Sequence, residues 1–147
     1  MKGLLALLGL LAATTSPATA AAISFHNAAL TQTNRNCDGS VIDPQLTKTF
    51  GTVELTRAGN QLVAVAVLLG GTPNKAYNVR LIQIKNGADV DCGKCDSGGG
   101  TLTTNNRGIG STYVRQAVAP GVTAAWVDLN QKDNCDNFYT IAPLSIA

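Results

Sequence analysis

The chain is poor in the residues on which most site chemistry depends. Its 147 residues include one His, one Glu, one Met and one Trp, and charged side chains make up 14%. A single histidine, His26, excludes a multi-histidine metal centre such as the copper and zinc sites of superoxide dismutases. A Ser-His-Asp arrangement would have to use that same residue, close to the start of the chain. With Glu54 as the only glutamate, and alternating outward on its strand, paired carboxylates for glycoside hydrolysis would have to come from aspartates. There is no G-x-S-x-G, and GGTPNKAY lacks the Lys-Ser/Thr ending of a phosphate-binding loop. Eleven basic residues, one of them Lys2, stand against nine acidic ones and are scattered singly. Binding to nucleic acid, which needs clustered Lys and Arg, is therefore disfavoured. The inventory argues against an enzyme and implies no cofactor.

Long apolar runs are also scarce, and the one at the start is informative. MKGLLALLGLLAATTSPATAAA places Lys2 ahead of an apolar run from Leu4 to Ala13, then small residues and Ala18-Thr19-Ala20. This is the layout of a secretory signal peptide, expected to be cleaved after Ala20 with Ala22 as the next choice. Residues 1–20 are thus read as the signal and 21–147 as one domain of a secreted or cell-envelope protein. No later run approaches the roughly twenty apolar residues of a membrane-spanning helix, so no membrane insertion is expected after cleavage.

Short alternating segments separated by Gly, Asn and Pro point to an all-β fold. In FGTVELTRAGNQLVAVAVLL, Val53 and Leu55 alternate with Thr52, Glu54 and Thr56, and Ala58-Gly59-Asn60 supplies a turn before a second run. That run offers Ala64 and Ala66 on one face and Val63, Val65 and Val67 on the other, which predicts a central strand covered on both sides. AYNVRLIQI reads as a third strand, with further strands at 100–104, 111–114, 123–129 and 138–141. A β-sandwich accommodates this pattern better than a parallel sheet with crossover helices.

LLGGTPNKAYNVRL resembles the tyrosine-corner motif of fibronectin type III and related immunoglobulin-like domains, with Leu69, Pro73, Tyr77 and Val79 at the matching positions. The Leu-to-Pro spacing is longer than in that motif, and more chain follows Tyr77 than a final strand pair requires. PNKAYNVRL, GTLTTNNRGIGSTYV, AAWVDLN and NFYT together resemble a group of small secreted bacterial proteins common in actinobacteria. That resemblance spans most of residues 50–142 and implies a single immunoglobulin-like sandwich with Gly/Asn-rich loops, and no activity.

Four cysteines remain to be placed, two of them in DVDCGKCDSGGG. A redox C-x-x-C needs a helix N-terminus to stabilise its thiolate, but Cys95 runs into Asp96-Ser97-Gly98-Gly99-Gly100, and Asp89, Asp91 and Asp96 oppose a thiolate. Zinc would need two paired knuckles, whereas Cys37 and Cys135 each stand alone. Two disulfides are expected in an exported chain. Of the three pairings, Cys92–Cys95 with Cys37–Cys135 is the favoured one. Asp89, Asp91 and Asp96 are weak calcium candidates, since Asp is equally an ordinary turn residue, and no metal site is assigned.

For binding, Trp126 is the residue to watch. In TAAWVDLN it faces outward if Val127 faces the core, where it could stack on a glycan or anchor a protein; alternatively it is buried beneath the Cys37 loop. Tyr113 and Arg115 would extend such a patch. Three readings follow: a secreted sandwich binding an unidentified protein or glycan surface, a homo-oligomeric filament subunit in which residues 21–35 add a strand to a neighbour, and a CxxC redox or metal protein.

Overall fold

The computed structural model describes residues 23–86, 88–89 and 92–146. The expected signal peptide at 1–20 lies outside them, as does Asp91. Ten strands run in chain order: β1 (Ile23–Leu30), β2 (Gly51–Ala58), β3 (Gln61–Leu68), β4 (Ala76–Lys85), β5 (Ala88–Asp89), β6 (Gly100–Thr103), β7 (Gly110–Ala117), β8 (Val122–Gln131), β9 (Asn134–Thr140) and β10 (Leu144–Ser145). The first sheet has the order β1-β2-β3-β7. In the second, β4 and β8 lie side by side, with β5 and β6 on the far edge of β4 and with β9 and β10 on that of β8. All pairings are antiparallel, and the two sheets form a β-sandwich. Among the described residues, no helix is long and apolar enough to cross a membrane.

Local chemistry sets the hairpins. Ala58 pairs with Gln61 across a two-residue loop in which Gly59 takes a positive φ of 58°, as a type II′ turn requires at its first central position. From there the register runs unbroken from Thr52↔Val67 to Arg57↔Leu62. β1 extends the same sheet, pairing residue by residue from Ile23↔Ala58 to Leu30↔Gly51, so residues 23–30 add a strand to their own sheet.

Alternation on these strands builds the core. Val53, Leu55, Leu62, Ala64, Ala66, Leu68 and Val114 line the inner face of the first sheet, and Tyr77, Val79, Leu81, Ala125, Val127 and Leu129 that of the second. All are buried. Here the structure corrects the reading of β3: its Ala64 and Ala66 face is buried, but Val63 and Val67 are only half-buried and Val65 is exposed. Val and Ile are favoured on a pleated surface whether or not a second layer covers it, so composition alone did not reveal which face was bare.

Candidate functional site

The two sheets are finished differently on their outer faces. On the second sheet, the outward positions Asn78, Ile82, Ile84, Trp126, Asp128 and Asn130 are all buried, because the segment 31–49 and the loop 92–99 lie over them. Polar side chains on β4 and β8 hold these covers by their backbone carbonyls. Asn78 Nδ2 donates to the carbonyls of Cys95 at 3.0 Å and Ser97 at 3.3 Å. Trp126 Nε1 donates to the Cys37 carbonyl at 3.1 Å. Arg80 forks onto Asp128, with Nε on Oδ1 at 2.8 Å and Nη2 on Oδ2, while Nη1 reaches the carbonyls of Cys92 at 2.6 Å and Lys94 at 2.9 Å.

This arrangement accounts for CGKC. The bridges are Cys37–Cys92 and Cys95–Cys135, so the favoured pairing is corrected: the two cysteines of the motif do not bond to each other but point to different elements. Cys92 ties the loop to the 31–49 segment, and Cys95 ties it to β9. Their spacing suits a short strap fastened at both sides of a sheet face. Gly99, at a φ of 76°, lets the strap press against β4: a Cβ there would lie 1.7 Å from the Val79 carbonyl oxygen. With all four thiols in disulfides, the loop carries neither a dithiol nor a thiolate zinc ligand. Among the described residues no three His, Cys, Asp or Glu side chains converge, and Asp96 is exposed on the strap itself. Of the other two calcium candidates, Asp91 lies outside the described residues and Asp89 contributes the backbone of β5.

Of the two outcomes open for Trp126, burial beneath the Cys37 loop is the one observed, and the surface role falls. At 2% exposure it is the anchor under the Cys37 loop, and it lies on the opposite sheet from Tyr113 and Arg115. Next to the strap is a cleft of about 280 Å³ lined by Arg80, Gln83, Gly98 and Gln116 among others. It opens where β4 has no strand partner between β5 and β6. Two glutamines replace the missing strand. Gln116 Nε2 donates to the Leu81 carbonyl at 2.9 Å, and Gln83 Nε2 donates to Gln116 Oε1 at 3.0 Å and to the Ala117 carbonyl at 2.9 Å. The side chains around this cleft are therefore committed to holding the fold.

The first sheet has no such cover. Strand register places Phe25, Thr56, Val63 and Arg115 in one outward row, Asn27, Glu54, Val65 and Tyr113 in the next, and Ala29, Thr52, Val67 and Ser111 in a third. Phe25 is 63% exposed and Tyr113 67%, and Ile23 and Leu69 extend the apolar surface at either end. A groove of about 580 Å³ lies between β3 and β7, lined by Val63, Val65, Ser111, Thr112, Tyr113 and Arg115. A second, of about 430 Å³, lies where Ala29, Phe50, Thr52 and Leu69 meet. Tyr113 and Arg115 share this face with each other but not with Trp126, whose patch they were expected to extend. Phe25, Val63 and Val65 join them without having been singled out. The alternation of Ile23, Phe25 and Asn27 against Ser24 and His26 in ISFHNAAL was the available signal.

Titratable groups elsewhere serve the scaffold. The Lys75 ammonium, 2.8 Å from Asp133, and Gln131 beside it hold the Asp133 carboxyl below its usual range, and the same contact raises Lys75. The Ser40 hydroxyl and backbone N–H do likewise for Asp38. Burial lowers Arg35, whose guanidinium donates to the Gly39 carbonyl and to Thr140. Burial, with Tyr77 nearby, pushes the Tyr139 hydroxyl up to about 12. Tyr77 itself accepts a hydrogen bond on its hydroxyl from the Thr72 N–H at 2.9 Å, five residues upstream.

No protein-family model matches the chain, and neither a curated protein nor a solved structure matches it.

Proposed function

We propose that the protein is exported, oxidised, and acts as a non-catalytic binding module of immunoglobulin-like type whose working surface is the outer face of the first sheet. One observation carries this reading: the chain invests two disulfides and an ion pair in covering one sheet, yet leaves the other bare with aromatic and aliphatic side chains pointing into solvent. An aliphatic seam of Val63, Val65 and Val67 with Tyr113 beside it, rimmed by polar side chains, is a recognised mark of an interaction site. Tyr113 and Arg115 belong to the residue types that dominate binding energy at protein interfaces.

The immunoglobulin-like assignment draws on connectivity. β2-β3-β7 and β6-β4-β8-β9 follow the order A-B-E and C′-C-F-G, with β1 added at the edge. The Tyr77–Thr72 contact has the form of a tyrosine corner, although it sits on β4 rather than near the end of the chain. Export is supported by the leader-like N-terminus and by the two disulfides, which persist where the medium is oxidising.

The test is a photo-crosslinking amino acid placed at Tyr113 and, as a control on another surface, at Asp136, in the protein exported by its own cells. Adducts at 113 and not at 136 support the reading. Equal labelling at both sites, or none at 113, counts against it.

A further inference from the structure

We infer that the partner seated on this face is a second copy of the same chain, paired face to face about a two-fold axis; the inference rests on the binding surface proposed above. It is argued from charge placement and area. The outer face carries one acidic and one basic side chain, Glu54 on β2 and Arg115 on β7, and among the described residues neither makes an ion pair. With strands about 4.8 Å apart and residues about 3.4 Å apart along them, the two lie about 12 Å from each other on the diagonal. The midpoint of that diagonal falls on β3, between Val63 and Val65. A two-fold axis lying in the interface, through that midpoint and perpendicular to the diagonal, lays Glu54 of each copy against Arg115 of the other. The same operation brings the two Val63–Val65 seams together at the centre, with Tyr113 of each copy over the β3 of its partner.

Self-complementarity of this kind is what an isologous interface demands: every group must meet, on an identical surface, what it lacks on its own. The size suits a weak pairing. Four strands of eight residues present about 500 Å² per copy, and because this axis crosses the two sets of strands at about 70°, about 400 Å² of each is covered, or about 800 Å² in all, in the range of weak, transient encounters. The pairing is therefore a concentration-dependent one, in which monomer and dimer exchange.

Sedimentation of the exported, oxidised chain from about 1 µM to about 1 mM reads this directly. The average mass should rise from one copy to two. Val65→Asp should weaken association by at least about a hundredfold and Tyr113→Ala by about tenfold or more, the latter serving if the former perturbs folding. Glu54→Arg and Arg115→Glu should each weaken it about tenfold, and combining them should restore it, because the swapped pair is again complementary. A chain that stays monomeric throughout, or a dimer indifferent to all four substitutions, overturns the inference. The crosslinker at Tyr113 separates this from failure of the surface itself. An adduct of twice the chain mass supports a second copy. Adducts of other masses, with a monomeric wild type, retire the second copy and keep the surface.

Discussion

Removing the Asp128 carboxylate should be among the most damaging single changes outside the core. Its side chain is 5% exposed and that of Arg80 12%, so both charges have given up most of their water. In Asp128→Asn the guanidinium stays buried and cannot shed its proton. Leaving one member of a buried pair without its counter-charge costs about 3–5 kcal/mol. Arg80 keeps its loop carbonyls, so we expect the lower end, about 3 kcal/mol, from a total of about 5–15 kcal/mol. For a chain of this length that lowers the melting temperature by roughly 10–15 °C.

Arg80→Met should cost more, because it strands the carboxylate and also releases the carbonyls of Cys92 and Lys94. The double variant should cost less than the sum of the two, with a coupling of about 2 kcal/mol or more. Urea unfolding of the four oxidised proteins gives the cycle, and amide exchange locates the effect. Residues 92–99 should exchange faster in Arg80→Met than in Asp128→Asn. Single-variant losses below about 1 kcal/mol, or additivity within about 0.5 kcal/mol, would refute the view that this pair clamps the strap.

Lys94 separates Cys92 from Cys95, so a tryptic digest under non-reducing conditions should link the peptide 36–48 to 86–94 and the peptide 95–107 to 133–147; a 86–94 to 95–107 linkage would contradict the bridges. The only tryptophan, being buried, should emit in the blue and resist iodide quenching until the bridges are reduced, and strong quenching of the oxidised protein would place Trp126 at the surface instead. Tyr139 is raised in the fold, so its contribution is complete below about pH 10, where the unfolded phenol begins to ionise, and is lost as pH rises toward about 12. An absorbance titration should show one late phenolic step that Tyr139→Phe abolishes; the same late step in that variant would mean another group is responsible.

The strands at 51–85 and the cores of β6 to β9, though not β1, β5 or β10, were legible because hydrophobic alternation and Gly-Asn turns are local, and the hairpin at Gly59 follows from four consecutive residues. Which face of β3 met solvent was not, since that depends on whether a distant segment folds back over it. For Trp126 the strand parity left two outcomes open, and burial beneath the Cys37 loop, nearly ninety residues earlier in the chain, is the one that holds. The cysteine pairing failed for a related reason. Proximity in sequence favours Cys92–Cys95 on loop entropy alone, whereas the strap is held open across a sheet by Arg80 and Asn78, which carry the two thiols in opposite directions. Tyr113 and Arg115 lie together because residues two apart on one strand share a face whatever the rest of the chain does.

The bridges join the first cysteine to the second and the third to the fourth. A chain that emerges N-terminus first therefore presents its thiols in the order in which they must pair. Cys92 appears while Cys37 waits alone, and Cys95 appears three residues later to wait for Cys135. An oxidant that simply joins cysteines as they appear should build the native set, without an isomerase to correct it. Errors enter only if Cys37–Cys92 is still open when Cys95 emerges, for then Cys95 can close on either of them.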